Sequence, residues 1–168
     1  MCSQMFQPLE GLRIREFSDD LAAQFHDINA EWLAAMYSIT ADDNDALCHP
    51  RRHYIDTGGV ILFVEAEGLG IVGCCALHKI SEHEFELTKM GVRSNARGRK
   101  AGEFLLKAII ERAKELDARL LFLFSNTRSA AAIHLYEKSG FVHDDEIRRR
   151  FGGMYERANV WMRYEGLD

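Results

Sequence analysis

The residues whose types and spacing point most directly to chemistry are Arg97-Gly98-Arg99-Lys100-Ala101-Gly102. They join a stretch of strand character, residues 84–92, to an amphipathic stretch of helical period, residues 99–116. Glycines 98 and 102 let the backbone turn tightly there and leave the amides at the helix start facing outward. Those amides have no acceptor inside the helix, and the helix dipole gives that end a partial positive charge, so a phosphate is stabilised there. The arginines and the lysine add full charges to the same field. Two readings fit this stretch alone: a phosphate cradle, or a solvated basic start to a β–α connection.

No other group of residues has ligand spacing. His78, His83 and His134 are scattered, so no metal site is expected. The four cysteines, Cys2, Cys48, Cys74 and Cys75, have neither metal nor disulfide-framework spacing. Cys74-Cys75 lies within an apolar run, which fits small buried thiols in a reducing compartment. Arg148-Arg149-Arg150 reads either as a solvated run or as an anion contact.

Periodicity supplies the elements that must position the basic turn. Residues 12–17 alternate as a half-buried strand, and Ser18 or Asp19 can cap a helix reaching Tyr37. Its apolar face is Leu21, Phe25, Ile28, Trp32, Leu33 and Met36. The acidic residues 41–45 break the chain and begin a shorter helix through Tyr54 and Ile55, ended by Gly58-Gly59. Residues 60–66 and 69–78 form a hairpin, with residues 84–92 as a third antiparallel strand. After the basic helix, residues 119–124 read as a central strand covered on both faces. A helix over 126–139 ends at Gly140, followed by a strand from Phe141, a mobile polar loop over 145–153 and a last strand over 156–164. The strand–helix–strand crossover between residues 84 and 124 predicts one parallel pair in an otherwise antiparallel sheet.

At 168 residues the chain fits a single domain, residues 1–168, with a full core. Its net charge of −5 argues against a general nucleic-acid binder. The first residues lack a signal peptide's basic and apolar regions, and no apolar run has the length of a membrane span. A cytoplasmic protein with no membrane partner is the expectation.

The stretch ELTKMGV followed by RGRKAGEFLL is similar to the acetyl-CoA signature of the GNAT superfamily, Arg/Gln-x-x-Gly-x-Gly/Ala after a strand. SNTRSAAAIHLYEKSGF is similar to that superfamily's Asn-x-x-Ala…Leu-Tyr-Glu-Lys-x-Gly-Phe helix. With both motifs in order, the chain resembles the GNAT acyl-CoA-dependent N-acyltransferases over nearly its whole length. The resemblance implies a mixed α/β fold, with a central, mostly antiparallel sheet of about six or seven strands and helices on both faces. It implies acetyl transfer from acetyl-CoA to a primary amine of a small molecule, amino acid or peptide, by direct attack in a ternary complex and without a metal. Dimers are frequent in the family, so a homodimer is one assembly it implies.

By the same resemblance, Arg97, Gly98, Arg99, Lys100, Ala101 and Gly102 hold the cofactor's diphosphate, and Met90, Gly91 and Val92 pair with its pantetheine arm. The Met90 N–H is then the donor to the thioester oxygen; an ordinary strand with Met90 in the core is the alternative. Glu86, four residues earlier and so expected on the same strand face as Met90, matches the general base of some members. Glu84 and Glu86 read equally as a solvated strand face. Tyr136 matches the tyrosine that protonates the departing sulfur, at a position where helical spacing also puts a core aromatic. Lys100 stands where glycine is usual, and its side chain either crowds the diphosphate or offers it an ammonium. Ser129 stands where asparagine is frequent, with Asn126 near enough to bond the cofactor instead. A non-catalytic acyl-CoA sensor or docking module, or a site for another phosphate-bearing ligand such as a nucleotide, would use the same turn.

Overall fold

A computed structural model of the chain describes residues 11–96 and 98–167; Cys2 and Arg97 lie outside them. A seven-stranded sheet runs through the molecule in the order β1-β2-β3-β4-β5-β7-β6. Its strands are β1 (Leu12–Glu16), β2 (Val60–Ala66), β3 (Gly70–Ser81), β4 (Glu84–Val92), β5 (Leu120–Ser125), β6 (Phe141–His143) and β7 (Val160–Tyr164). Every neighbouring pair is antiparallel except β4–β5, which the crossover makes parallel, as expected.

The helices are α1 (Ala22–Met36), α2 (Ala41–Cys48), α3 (Ala101–Glu115), α4 (Ala130–Ser139) and α5 (Asp145–Phe151). One face of the sheet packs against α3 and α4 through Leu62, Val64, Cys75, Leu77, Phe85 and Leu87, with Leu105, Ile109 and Tyr136 opposite. The other face packs against α1, α2 and a π-helical turn at Arg51–Ile55, through Ile61, Phe63, Cys74 and Ala76 against Phe25, Ile28, Leu33 and Tyr54. Cys74 and Cys75 therefore enter different cores. Burial pushes the Cys74 thiol up to about 12, so it stays protonated and inert. No helix among the described residues is long and apolar enough to cross a membrane.

Several local expectations are corrected. Ser18 makes no side-chain cap bond, and α1 is entered through a 3₁₀ turn at Asp19–Leu21. The second helix is shorter than expected. Thr40 and Asp43 close a reciprocal capping box at its start, the helix ends at His49, φ −131° and ψ 57°, and Arg51–Ile55 form a π-helical turn. The buried stripe of α3 is broad, with Leu106 and Ile110 beside Leu105, Ile109 and Ala113. The expected mobile loop over 145–153 is largely the helix α5, capped by Asp144 and pinned by Ile147 in the core. Its arginines are engaged rather than free: Arg150 pairs with Glu84, Arg149 with Glu146, and Arg148 lies over the Trp161 ring. The last strand starts at Val160, so Tyr155 and Arg157 lie on the segment before it.

Candidate active site

The functional geometry begins with a defect in the sheet. β4 and β5 pair over only three positions, Glu84↔Leu120 to Glu86↔Phe122, and then separate. On its other edge β4 carries a bulge: the register with β3 jumps from Ala76↔Thr88 to Cys74↔Gly91, so Lys89 and Met90 together oppose Cys75. Lys89 takes a left-handed conformation there, φ 53°, which costs a residue with a Cβ about 1–2 kcal/mol.

Where the strands part, a cavity of about 450 Å³ opens, walled by β4 from Glu86 to Gly91, the end of β5, α4, and Trp32, Met36 and Tyr37 at the end of α1. It reaches both faces of the sheet. Tyr136 enters from the α3/α4 core, and Glu86 faces the α1/α2 side. The bulge overturns one expectation. Glu86 and Met90 do not share a face, because the extra residue shifts the alternation by one. Phe85, Leu87, Met90 and Val92 all belong to the α3/α4 side, and Glu86 points to the opposite one.

Glu86 is not the solvated residue that Glu84 is; only 1% of it is exposed. The Tyr155 hydroxyl donates to Glu86 Oε1 at 3.2 Å, and His78 Nδ1 lies 3.5 Å from the same oxygen. Burial, then the charge of Glu86, pushes Tyr155 and Tyr54 well above the usual phenol range, so both keep their protons near a carboxylate. Burial does the same for Tyr136, whose ring packs edge-on against Phe141 at 5.8 Å.

Gly91 sits in the cavity wall because Trp32 requires it: a Cβ there would lie 2.5 Å from the Trp32 ring. That ring is held by its Nε1, which donates to Asn29 Oδ1 at 2.9 Å. Asn126 and Ser129 also line the cavity. Asn126 Oδ1 accepts from the Arg128 N–H and its Nδ2 donates to the Arg157 carbonyl at 2.7 Å, so the side chain is already spent on the protein. Ser129 Oγ lies 3.7 Å from Met36 Sδ.

Val92, the last residue of β4, and Gly98, Arg99, Lys100, Ala101 and Gly102, at the start of α3, lie outside the cavity wall. Gly98 and Lys100 both have positive φ, 85° and 59°. Lys100 thus adopts the backbone that glycine would, and it is exposed. Among the described residues the first α3 bond is Phe104 N to Lys100 O, which leaves the amides of Gly102 and Glu103 without helical acceptors.

The sequence reading missed a buried ionic cluster beside Glu86. Asp43 is 4% exposed and Lys89 7%. Asp43 Oδ1 accepts from Lys89 Nζ at 3.1 Å and from an Arg157 guanidinium nitrogen at 3.0 Å. Oδ2 accepts from the other terminal nitrogen of Arg157 at 2.8 Å and from the Thr40 N–H at 3.1 Å. Lys89 and Arg157 line the cavity, and Asp43 stands behind them.

Residues 16–141, three quarters of the chain, match the sequence profile of the acetyltransferase (GNAT) family. The chain belongs to that family. Among curated relatives, an uncharacterised N-acetyltransferase of Schizosaccharomyces pombe is 30% identical over 99 residues, 58% of this chain and 61% of that protein's length. A GNAT-family acetyltransferase from Staphylococcus aureus superposes with a TM-score of 0.80 at 20% identity, over 90% of this chain and 97% of the other. A Salmonella typhimurium protein assigned as an acetyltransferase and solved with its cofactor acetyl-CoA superposes at 0.71, with 16% identity over 94% and 98%. At these identities the superpositions establish the GNAT fold of the chain and no more.

Proposed function

We propose that this GNAT protein is an N-acetyltransferase that moves an acetyl group from acetyl-CoA to a primary amine of a small molecule, amino acid or peptide, by direct attack in a ternary complex. The observation that carries this reading is the cavity through the split between β4 and β5, with a buried carboxylate at one side and a buried phenol at the other. The chain fits acetyl-CoA at two places: the unpartnered amides and exposed cations at the α3 start suit a diphosphate, and the β4 edge beyond Glu86 is left open by β5.

Acetyl-CoA supplies the thioester. The residues then divide the work. Glu86 takes the proton that the ammonium must lose before its nitrogen can form the new amide bond. The Met90 N–H, on the bulge, meets the charge that develops on the thioester oxygen. Tyr136 gives its proton to the sulfur as the C–S bond breaks, and the second proton that the nitrogen sheds as the amide forms restores the phenol. Burial holds that proton on the phenol, and the same dry surroundings raise the proton demand of the departing thiolate. Asn126 acts in this scheme as a positioning residue, fixing the backbone that carries Arg157.

The test is thiol release from acetyl-CoA across a panel of amines, amino acids and peptides. Tyr136→Phe is expected to lower kcat by about 10²-fold with little change in acetyl-CoA affinity. Micromolar acetyl-CoA binding with no turnover on any amine would favour the sensor reading instead. Lys100→Gly supplies a separate check. Relief of the left-handed backbone raises stability by up to about 1 kcal/mol, while loss of the ammonium weakens acetyl-CoA binding several-fold. Thermal unfolding and calorimetry would read the two effects, and unchanged binding would remove Lys100 from the diphosphate site.

A further inference from the structure

We infer that the amine acceptor also carries a carboxylate, held between Lys89 and Arg157 while its amine faces Glu86. This rests on the acetyltransferase reading above and narrows it from amines in general to amino acids and similar zwitterions.

The argument is a count of donors and charges. Asp43 receives four hydrogen bonds, from Lys89, twice from Arg157 and from the Thr40 N–H, which fills the acceptor sites of a carboxylate. The cations are not matched in return. Lys89 spends one of its three donors on Asp43 and has no other acceptor among the described residues. Arg157 spends its two terminal nitrogens on Asp43, and its cation lies 5.1 Å from the centre of the Tyr37 ring. Two cations therefore share one carboxylate, and both reach within hydrogen-bond distance of the same oxygen, Asp43 Oδ1.

Lys89 is buried and Arg157 half-buried, and an excess of positive charge so placed is costly unless something anionic completes it. Glu86 does not. Its neighbours are the Tyr155 hydroxyl and His78, and no ion pair joins it to Lys89 or Arg157. Because Lys89 and Arg157 line the cavity and Asp43 does not, the excess charge is presented to whatever enters. Glu86 lies three residues before Lys89 on β4, also in the wall. The site thus offers one anionic and one cationic station, the pattern that a zwitterion answers. A polyamine would bring only positive charge to it.

The test uses the intact protein with acetyl-CoA and sets of acceptors sharing one carbon skeleton: each standard amino acid, its carboxamide and its decarboxylated amine. The expected result is that the preferred amino acid exceeds both partners in kcat/KM by about 100-fold. The comparison is stringent, because the carboxamide's amine is the more easily deprotonated and would lead if charge recognition played no part. Carboxamides, simple amines or peptides acetylated as well as the free amino acids would overturn the inference and leave the acetyltransferase reading standing. Acetyl-CoA binding without acetylation of any amine would overturn both. Lys89→Met keeps the bidentate Arg157–Asp43 pair and should lower the acid-over-carboxamide ratio about tenfold, with folding checked by acetyl-CoA calorimetry. An unchanged ratio in Lys89→Met and in Arg157→Gln would also overturn it.

Discussion

Glu86→Gln is expected to lower kcat/KM for the amine by about 10²–10⁴-fold near neutral pH, with acetyl-CoA bound as tightly as before. Glutamine keeps the shape of the side chain and still accepts from the Tyr155 hydroxyl, so the surrounding packing survives. What disappears is the buried carboxylate that can take a proton from an ammonium. That loss has a pH signature. As the pH rises through the amine's own pKa, about 8 for a peptide's α-amino group and higher for a free amino acid, solvent supplies the neutral nucleophile and the variant's deficit shrinks. A structural role for Glu86 gives a different result, a deficit of constant size from pH 6 to 10. Stopped assays of thiol release across that range separate the two.

The parts of this molecule that could be read from sequence are those in which short-range periodicity and local chemistry agree. The β2–β3 hairpin, the apolar β5 and the Gly140 end of α4 were legible because pattern and turn residues point the same way. α5 was misread because an arginine run before Gly152-Gly153 looks like a loop. Its helical signal was Asp144 as a cap, with Ile147 and Phe151 four residues apart. The bulge in β4 left no local mark. Nothing in EFELTKMGV distinguishes a continuous strand from one broken at Lys89, whose side-chain partner, Asp43, is 46 residues away in sequence. For the same reason Asp43 read as one member of an acidic run and Arg157 as part of a strand. Thr40-x-x-Asp43 did carry a visible helix-start signal, but not the second role of that carboxylate. Tyr136, Glu86, Met90, Gly91, Asn126 and Ser129 do meet in one cavity, which a motif can suggest but only the divergence of β4 from β5 can build.

Asp43→Ala is expected to destabilise the protein by about 3–5 kcal/mol, because it strands the buried Lys89 ammonium and the half-buried Arg157 guanidinium, which pair with no other carboxylate among the described residues. For a chain of 168 residues that is a fall in Tm of roughly 10 °C. The pH dependence follows from the direction of the shift. Burial by itself would raise the Asp43 pKa, but the Arg157 guanidinium, the Lys89 charge and the Thr40 N–H together hold it well below the usual carboxylate range. A depressed folded-state pKa means the stabilisation is fully present above the unfolded value, about pH 4, and is lost as the pH falls toward the folded one. The gap between wild type and variant should therefore be constant from pH 8 to about pH 5 and close below pH 4, as urea unfolding at each pH would record. A loss of only about 1 kcal/mol would be the worth of a helix cap, and would mean that Asp43 matters for the start of α2 alone. The larger loss carries a consequence for catalysis. Lys89, whose ammonium pairs with Asp43, is the left-handed residue of the bulge that turns Met90 away from the Glu86 face. A chain lacking the carboxylate but refolded by salt or ligand should therefore still bind acetyl-CoA at the α3 start while transferring acetyl groups poorly.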